Sequence, residues 1–159
     1  MRVQHNIPPV WDGCSEILIL GSFPSVASRS SEFFYAHEKN RFWRVLAAVY
    51  GDTVPADIEA KKLFLNKHRV ALWDVIASCD ISASSDSSIK NAAVNDIASI
   101  VHSSRISHIY LNGKTAARLY EKFLAPSLGV PFDVLPSTSP ANAKMSLDAL
   151  IEQWRKLSA

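Results

Sequence analysis

The sequence predicts an α/β fold in which helices cover both faces of a parallel β-sheet. Four short apolar runs are typical of strands buried on both faces, and segments with helical spacing alternate with them along the chain. The 159 residues are 48% hydrophobic, which is enough to bury a core. They contain neither an internal repeat nor a linker, so we predict one domain over residues 1–159.

In the N-terminal half, the first predicted strand is the apolar run EILILGS at Glu16–Ser22. A helix is predicted at Asn40–Gly51, because its apolar residues recur on one face and a terminal glycine favours a stop. A second helix is predicted at Pro55–His68 and a second buried strand at Arg69–Val75. The serine-rich segment Ala77–Ser88 is typical of a loop.

In the C-terminal half, an amphipathic pattern predicts a helix at Ala93–Ser104. The run ISHIYLNG predicts a third strand at Ile106–Gly113, and a helix follows at Lys114–Ala125. The fourth strand begins the segment Pro131–Pro140, which continues into a polar loop. A helix at Ala143–Leu157 closes the chain.

The charge and hydropathy of the chain limit its partners. The formal net charge is +2 and the pI is near 8.6, so an anionic partner must be met by a local basic patch. No window approaches the roughly 18 apolar residues of a membrane span, and the N-terminus has no apolar signal-peptide segment. We therefore predict a cytoplasmic protein that does not enter a membrane.

The cysteines and histidines give no support to a metal site. Two cysteines, Cys14 and Cys79, are too few for an iron–sulfur cluster or a cysteine zinc site, and we predict that both are reduced and buried. The five histidines form neither an i, i+4 pair nor an HExxH motif. We expect no metal and no cofactor.

Functional groups in parallel sheets gather beyond the carboxyl ends of the strands. These ends carry the segments GSFPSVAS, WDVIAS, LNGKT and LPSTSPAN. A dinucleotide fingerprint and a GxSxG motif are absent, and LNGKT is no P-loop because His108 stands where its first glycine must be. Asp74 is the one acidic residue directly at a strand end, and it fits a loop cap.

Two of these segments carry polar groups that allow two interpretations. The hydroxyls of LPSTSPAN suit phosphate oxygens, but Ser139 or Asn142 is equally suited to cap the last helix. The amide of Asn112 presents a donor and an acceptor, which suits the edge of a nucleobase. Asn112 also suits a capping turn before the next helix.

The segment FFYAHEKNRFW (Phe33–Trp43) adds aromatic and cationic groups. Its aromatic rings provide stacking surfaces, and four cations in and near it suit phosphate contacts: Arg29, Lys39, Arg41 and Arg44. Together with the amides and the hydroxyl loop, these groups describe a pocket that holds one extruded nucleotide.

The chain resembles the uracil-DNA glycosylase superfamily, and most closely its DNA-deoxyinosine (hypoxanthine) branch. The resemblance rests on ILILGSFPSVASR, FFYAHEKNRFWRVL, LWDVIASCD, YLNGKTA and LPSTSPANA, in that order over nearly the whole chain. It implies a three-layer α/β/α fold with a central four-stranded parallel sheet of order 2-1-3-4. It also implies a monomeric base-excision repair enzyme that acts on double-stranded DNA containing a deaminated base.

The resemblance also implies roles for individual residues. Uracil enzymes carry Asp or Asn in the first motif, where this chain has Phe23. The deoxyinosine branch uses an asparagine in the block HxxNRFW, matched by Asn40, and another at the end of strand three, matched by Asn112. Tyr35 aligns with an aromatic that stacks on the flipped base, and Ser22 and Phe23 complete the base pocket.

The second motif, Leu135–Asn142, is implied to enter the minor groove beside the lesion. Its matching residues are Ser137, Thr138, Ser139, Pro140 and Asn142. His37 and Arg41 are candidates for phosphate contacts, although a structural role for His37 stays open. Glu38 replaces the proline that is usual in related blocks.

Simpler interpretations and two rival functions stay open. Phe42 and Trp43 begin a helix and fit core positions, and Asn40 is also a favoured residue at a helix start. The first rival function is a mismatch-specific uracil glycosylase, which Phe23 argues against. The second is a catalytically silent DNA-binding module, which the presence of both Asn40 and Asn112 argues against.

Overall fold

The computed structural model describes residues 1–82 and 88–158. Their strands are Arg2–Gln4 (β1), Ile17–Gly21 (β2), Val70–Asp74 (β3), Ile76–Asp80 (β4), Lys90–Val94 (β5), His108–Asn112 (β6) and Phe132–Leu135 (β7). Their helices are Val26–Ser31 (α1), Phe42–Tyr50 (α2), Ile58–Lys67 (α3), Ile97–His102 (α4), Lys114–Phe123 (α5), Ala125–Leu128 (α6) and Leu147–Trp154 (α7). A 3₁₀ turn follows at Arg155–Ser158.

The central sheet has the order β3-β2-β6-β7, and every neighbouring pair is parallel. Numbered along the chain, its strands have the order 2-1-3-4, so the expected topology is confirmed. Gly21 pairs with Asp74, Leu20 with Leu111, and Asn112 with Leu135. The carboxyl ends of all four strands therefore lie at one edge of the sheet.

Helices cover both faces of this sheet, which confirms the three-layer α/β/α arrangement. On one face, Ile19 and Leu72 pack with residues of α2, α3 and α7. On the other face, Leu18, Leu20 and Ala71 pack with residues of α4 and α5. Because both faces are buried, the strands read as continuous apolar runs and not as alternating patterns.

A second, antiparallel sheet of order β1-β4-β5 was not predicted. The segment Ala77–Ser88 is not all loop, because β4 runs to Asp80; residues 83–87 lie outside the described part of the chain. The helix predicted at Ala93–Ser104 begins only at Ile97, where Asp96 accepts a hydrogen bond from the Ser99 N–H. The first two residues of the predicted helix, Ala93 and Val94, instead belong to β5, which pairs with β4.

Three further expectations need correction. The last helix begins at Leu147, four residues later than predicted, and Ser146 caps it; the proposed caps Ser139 and Asn142 do not. The helix α1 follows directly on the loop of the first motif, Gly21–Ser25 (the first-motif loop), and was not predicted. Cys79 is buried as expected, but Cys14 is exposed because it lies in a surface turn.

Burial raises the pKa values of Tyr50 and Tyr110. It raises the pKa of Tyr50 to about 12, and the neighbouring Tyr110 adds to the shift. The pKa of Tyr110 is itself raised by burial and by Asp133. Both hydroxyls are therefore neutral at physiological pH. Within residues 1–82 and 88–158, no helix has the length and apolar character needed to cross a bilayer.

Candidate active site

The first-motif loop leaves the sheet at Gly21 and is tied to the neighbouring strand. The Gly21 carbonyl accepts a hydrogen bond from the Val75 N–H at 2.8 Å. A side chain at Gly21 would collide with the Asp74 carboxylate and would place its Cβ 2.9 Å from the Tyr35 hydroxyl. Glycine is therefore required here, because two polar side chains approach the backbone closely.

The predicted base-binding residues Ser22 and Phe23 are the buried residues that follow Gly21 in this loop. Each is 8% exposed. The Ser22 carbonyl accepts a hydrogen bond from the Ile76 N–H at 3.1 Å. The Phe23 ring lies 6.0 Å from the His5 ring and 5.6 Å from the Arg29 guanidinium. Both residues are therefore almost entirely buried in this structure.

The aromatic cluster divides into four core rings and one half-buried ring. Buried in the core are Phe33, Phe34, Phe42 and Trp43. The expectation that Phe42 and Trp43 fill the core is therefore confirmed. Tyr35 is half-buried, and one face of its ring stacks on Phe42 with 4.0 Å between centroids. Its backbone has a left-handed φ of 52°, which is uncommon for a bulky residue.

Asn40 lies at the end of an exposed turn that leads into α2. Its backbone N–H donates to the His37 carbonyl at 2.9 Å, and its Oδ1 accepts from the Phe42 N–H at 3.0 Å. The side chain therefore caps the first turn from one position before the N-cap residue, Arg41, which itself makes no side-chain cap bond. An amide oxygen accepts two hydrogen bonds, so this cap leaves Oδ1 a second acceptor position. His37 is exposed, and its Nδ1 accepts from the Lys39 N–H at 3.1 Å.

Asn112 holds the second-motif loop through both polar atoms of its amide. Its Nδ2 donates to the Thr138 hydroxyl at 3.0 Å, and its Oδ1 accepts from the Thr138 N–H at 3.1 Å. Thr138 is fully buried, and its carbonyl accepts from the Arg41 N–H at 3.1 Å. Asn112 does not cap α5, whose cap residue is Gly113. Thr138 thus links Asn112 to the backbone of Arg41, the residue that follows Asn40.

The rest of the second-motif loop is held by its own polar groups. Ser137 Oγ accepts from the Ser139 N–H, and Ser139 Oγ accepts from the Ala141 N–H, both at 3.1 Å. Asn142 Nδ2 donates to the Ser137 carbonyl at 3.0 Å. Pro140 is exposed at the tip. These local bonds shape the loop before any ligand is present.

The four predicted cations occupy different environments. The Arg41 guanidinium donates to the carbonyl oxygens of Asn142 at 2.9 Å and Met145 at 2.6 Å, so it fastens the second-motif loop to the start of α2. Arg29 packs over Phe23. Lys39 and Arg44 are exposed on the turn and on α2. These two cations are therefore the more accessible to a phosphate.

The chain matches a family model described as the uracil DNA glycosylase superfamily over residues 9–158. It belongs to that superfamily. A protein of Methanosarcina acetivorans named hypoxanthine DNA glycosylase is 35% identical over 146 residues, 91% of each chain. A protein of the same name from Methanosarcina barkeri is 30% identical over 153 residues, 95% of each chain.

A solved structure agrees with the superfamily assignment. The solution NMR structure of a putative uracil DNA glycosylase from Methanosarcina acetivorans has a TM-score of 0.82 and 32% sequence identity, with complete coverage of both chains. The sequence identity and the TM-score with this solved structure therefore both support the fold described above.

One part of this site was missed in the sequence. His5 was not predicted to take part, yet its side chain is bonded to Asp74 directly beneath the first-motif loop. Asp74 is therefore paired inside the fold and does not cap a loop. A lone histidine near a chain terminus carries no periodic or motif signal. Among residues 1–82 and 88–158, no cluster of three or more His, Cys, Asp or Glu side chains suits a metal ion.

Proposed function

We propose that this protein is a monofunctional DNA glycosylase of base-excision repair. It hydrolyses the N-glycosidic bond of a flipped deaminated base, hypoxanthine before others, and leaves an abasic site. The observation that carries the proposal is that Thr138 links Asn112, at the carboxyl end of β6, to the backbone of Arg41, next to Asn40. Superfamily membership and the two relatives named hypoxanthine DNA glycosylase support it.

The proposed hydrolysis does not require a strong general base in the protein. Cleavage of an N-glycosidic bond passes through an oxocarbenium-like sugar, which water attacks readily, so a positioned amide is sufficient to hold and orient that water. Asn40 suits this role because its backbone and its cap bond fix the side chain at the start of α2. The free acceptor position of Oδ1 then binds a hydrogen of the water.

The leaving base gathers negative charge as the bond lengthens. Hydrogen bonds that tighten with this charge stabilise the transition state more than the ground state. The candidates are the Asn112 amide and backbone N–H groups at Ser22 and Phe23, at adjacent strand ends. Phe23 and the half-buried ring of Tyr35, which stacks on Phe42, are the aromatic groups proposed to hold the base.

A water nucleophile is favoured over an amine nucleophile. Neither motif loop, Gly21–Ser25 or Leu135–Asn142, contains a lysine. A lysine close to C1′ would be needed for a covalent Schiff-base route with strand cleavage. The proposed product is therefore an intact strand that carries an abasic site.

Duplex DNA is bound by groups around this pocket. The second-motif loop, with Ser137, Thr138, Ser139, Pro140 and Asn142, enters the minor groove. His37, Lys39 and Arg44 on the exposed turn and on α2 meet phosphates, while Arg41 supports the loop. We propose that the protein acts as a monomer on one lesion at a time.

Affinity for undamaged duplex is expected to be weak and salt-dependent. With a net charge of only +2, few phosphates are neutralised, so the slope of log affinity against log salt should be about −3 to −6. Lys39→Ala and Arg44→Ala should each make the slope shallower by about one. Lys122→Ala on α5 is the matched control and should not change it. Fluorescence anisotropy across a salt series measures the slope, and a flat response would remove the DNA-binding proposal.

Cleavage of defined duplexes tests the function itself. Oligonucleotides with inosine, uracil, xanthine or thymine opposite each normal base are incubated with the protein and then nicked with alkali. We expect the inosine strand to be cut fastest and to need alkali for nicking, because the enzyme leaves an abasic site. Faster release of uracil would favour the mismatch-specific uracil activity. Binding without release of any base would favour the silent DNA-binding module.

A further inference from the structure

A buried histidine–aspartate pair lies directly under the proposed base pocket. The side chains of His5 and Asp74 are 3% and 5% exposed, and His5 Nε2 lies 2.8 Å from Asp74 Oδ2. His5 Nδ1 accepts a hydrogen bond from the Ile7 N–H at 3.2 Å. An acceptor at Nδ1 assigns the hydrogen to Nε2, so the histidine donates to the carboxylate.

The two oxygens of Asp74 face different partners. Oδ2 is held by His5, and Oδ1 packs on the backbone of Gly21, beside the Tyr35 hydroxyl. The Asp74 carbonyl accepts from the buried Asn95 Nδ2 at 2.9 Å, so the main chain at this point is held as well. The Asp74 carboxylate is therefore held in place where it contacts the first-motif loop at Gly21.

The His5 ring, held by Asp74, packs against aromatic residues on both sides of the site. Its centroid lies 6.0 Å from Phe23 and 6.1 Å from Phe34, the residue before Tyr35. The ring of Trp73 also contacts His5, with 6.4 Å between the two ring centroids. The pair thus contacts the first-motif loop on one side and the chain that carries Tyr35 on the other.

Stability alone does not account for such a pair. Removing a carboxylate from water is costly, and apolar residues of similar shape are often as stable in its place. We propose that His5 and Asp74 are positioning residues, which fix the Gly21–Phe23 loop and Tyr35 relative to one another in the proposed base pocket. This inference rests on the proposed function, because it assigns these two residues to the same site.

Three variants test the role of the pair. Asp74→Ala removes the carboxylate and should lower single-turnover release of hypoxanthine about tenfold, since misplacement of a pocket wall costs rate. Asp74→Asn keeps the shape and an oxygen for His5, so it should restore a rate close to that of the unmodified protein. The double variant His5→Phe/Asp74→Leu replaces the pair by apolar groups; it should stay folded but remain slow.

The binding step and a distant pair provide the controls. Affinity for an inosine duplex should be unchanged in all three variants, because the exposed phosphate-binding groups remain. Asp133→Ala breaks the His108–Asp133 pair, which also has an Nε2–Oδ2 distance of 2.8 Å but begins at the amino end of β6. It should leave the rate unchanged. Amide NMR shifts of Gly21, Ser22 and Tyr35 without DNA should move in Asp74→Ala and barely move in Asp74→Asn.

The outcomes separate this inference from the proposed function. If the unmodified protein releases no hypoxanthine, the proposed function fails, and the amide shifts still test the positioning. If it does release hypoxanthine and the folded double variant is equally fast, the positioning role is wrong. A folded Asp74→Asn as slow as Asp74→Ala would also overturn it, because charge and not position would then be the cause.

Discussion

Replacing Asn40 with alanine is expected to slow single-turnover cleavage of an inosine duplex by about 10²–10⁴-fold, the range for one positioned catalytic group. In the proposed mechanism, the amide holds water against C1′ and acts only as the glycosidic bond loosens. Its contribution therefore belongs to the transition state and not to substrate binding. Rapid-quench kinetics with excess protein measures the rate, and anisotropy should show nearly unchanged affinity.

The cap bond of Asn40 makes a stability control necessary. Because Oδ1 accepts from the Phe42 N–H, alanine should also cost about 1 kcal/mol of unfolding free energy. Asp57→Ala removes a side-chain bond at the start of α3, where Oδ1 of this N-cap residue accepts from the Ala60 N–H at 2.8 Å. It should lose similar stability and keep its activity. Asn40→Asp retains the cap and an oxygen for water, so partial activity that rises with pH is expected.

A different result would return Asn40 to a structural role. If Asn40→Ala melts slightly earlier but cleaves at the normal rate, the side chain serves only as the helix cap. Melting temperature and single-turnover rate must therefore be measured on the same preparation of each variant. The Asp57→Ala protein then shows how much rate is lost through stability alone.

Replacing Asn112 with alanine is expected to cost about 1–3 kcal/mol of transition-state stabilisation on the inosine duplex. Two causes act together. The variant removes an amide proposed to bind the leaving base, and it releases the buried Thr138, which fastens the second-motif loop to Arg41. The ratio of single-turnover rates, with affinity measured in parallel, gives the loss.

Thr138→Val separates the two causes. Valine keeps the shape and the backbone N–H that donates to Asn112 Oδ1, but it removes the hydroxyl that accepts from Nδ2. If the loop contact is the whole effect, Thr138→Val should reproduce a large part of the Asn112→Ala loss. If base contact dominates, Thr138→Val should stay close to normal. Unchanged kinetics in a folded Asn112→Ala protein would show that neither cause operates.

The strand missed at Lys90–Val94 has a physical explanation. The segment Lys90–Val94 has no strong strand pattern, and the serine-rich residues before it favour a loop by composition. It is a strand because β4, which also pairs with β1, lies beside it in space. Pairing between distant segments decides such weak strands, since β-propensity depends on the neighbouring strands and faces.

The sequence by itself determined the buried parallel strands, because burial on both faces demands continuous apolar runs, and it determined that the polar segments follow their carboxyl ends. It also placed Phe42 and Trp43 in the core, as the apolar residues that begin a predicted helix. Only the tertiary structure decided which polar groups meet. Asn112 bonds Thr138 across 26 positions, and His5 bonds Asp74 across 69. Such contacts depend on the spatial order of strands, and hydrogen bonds between distant segments leave no local pattern in the chain.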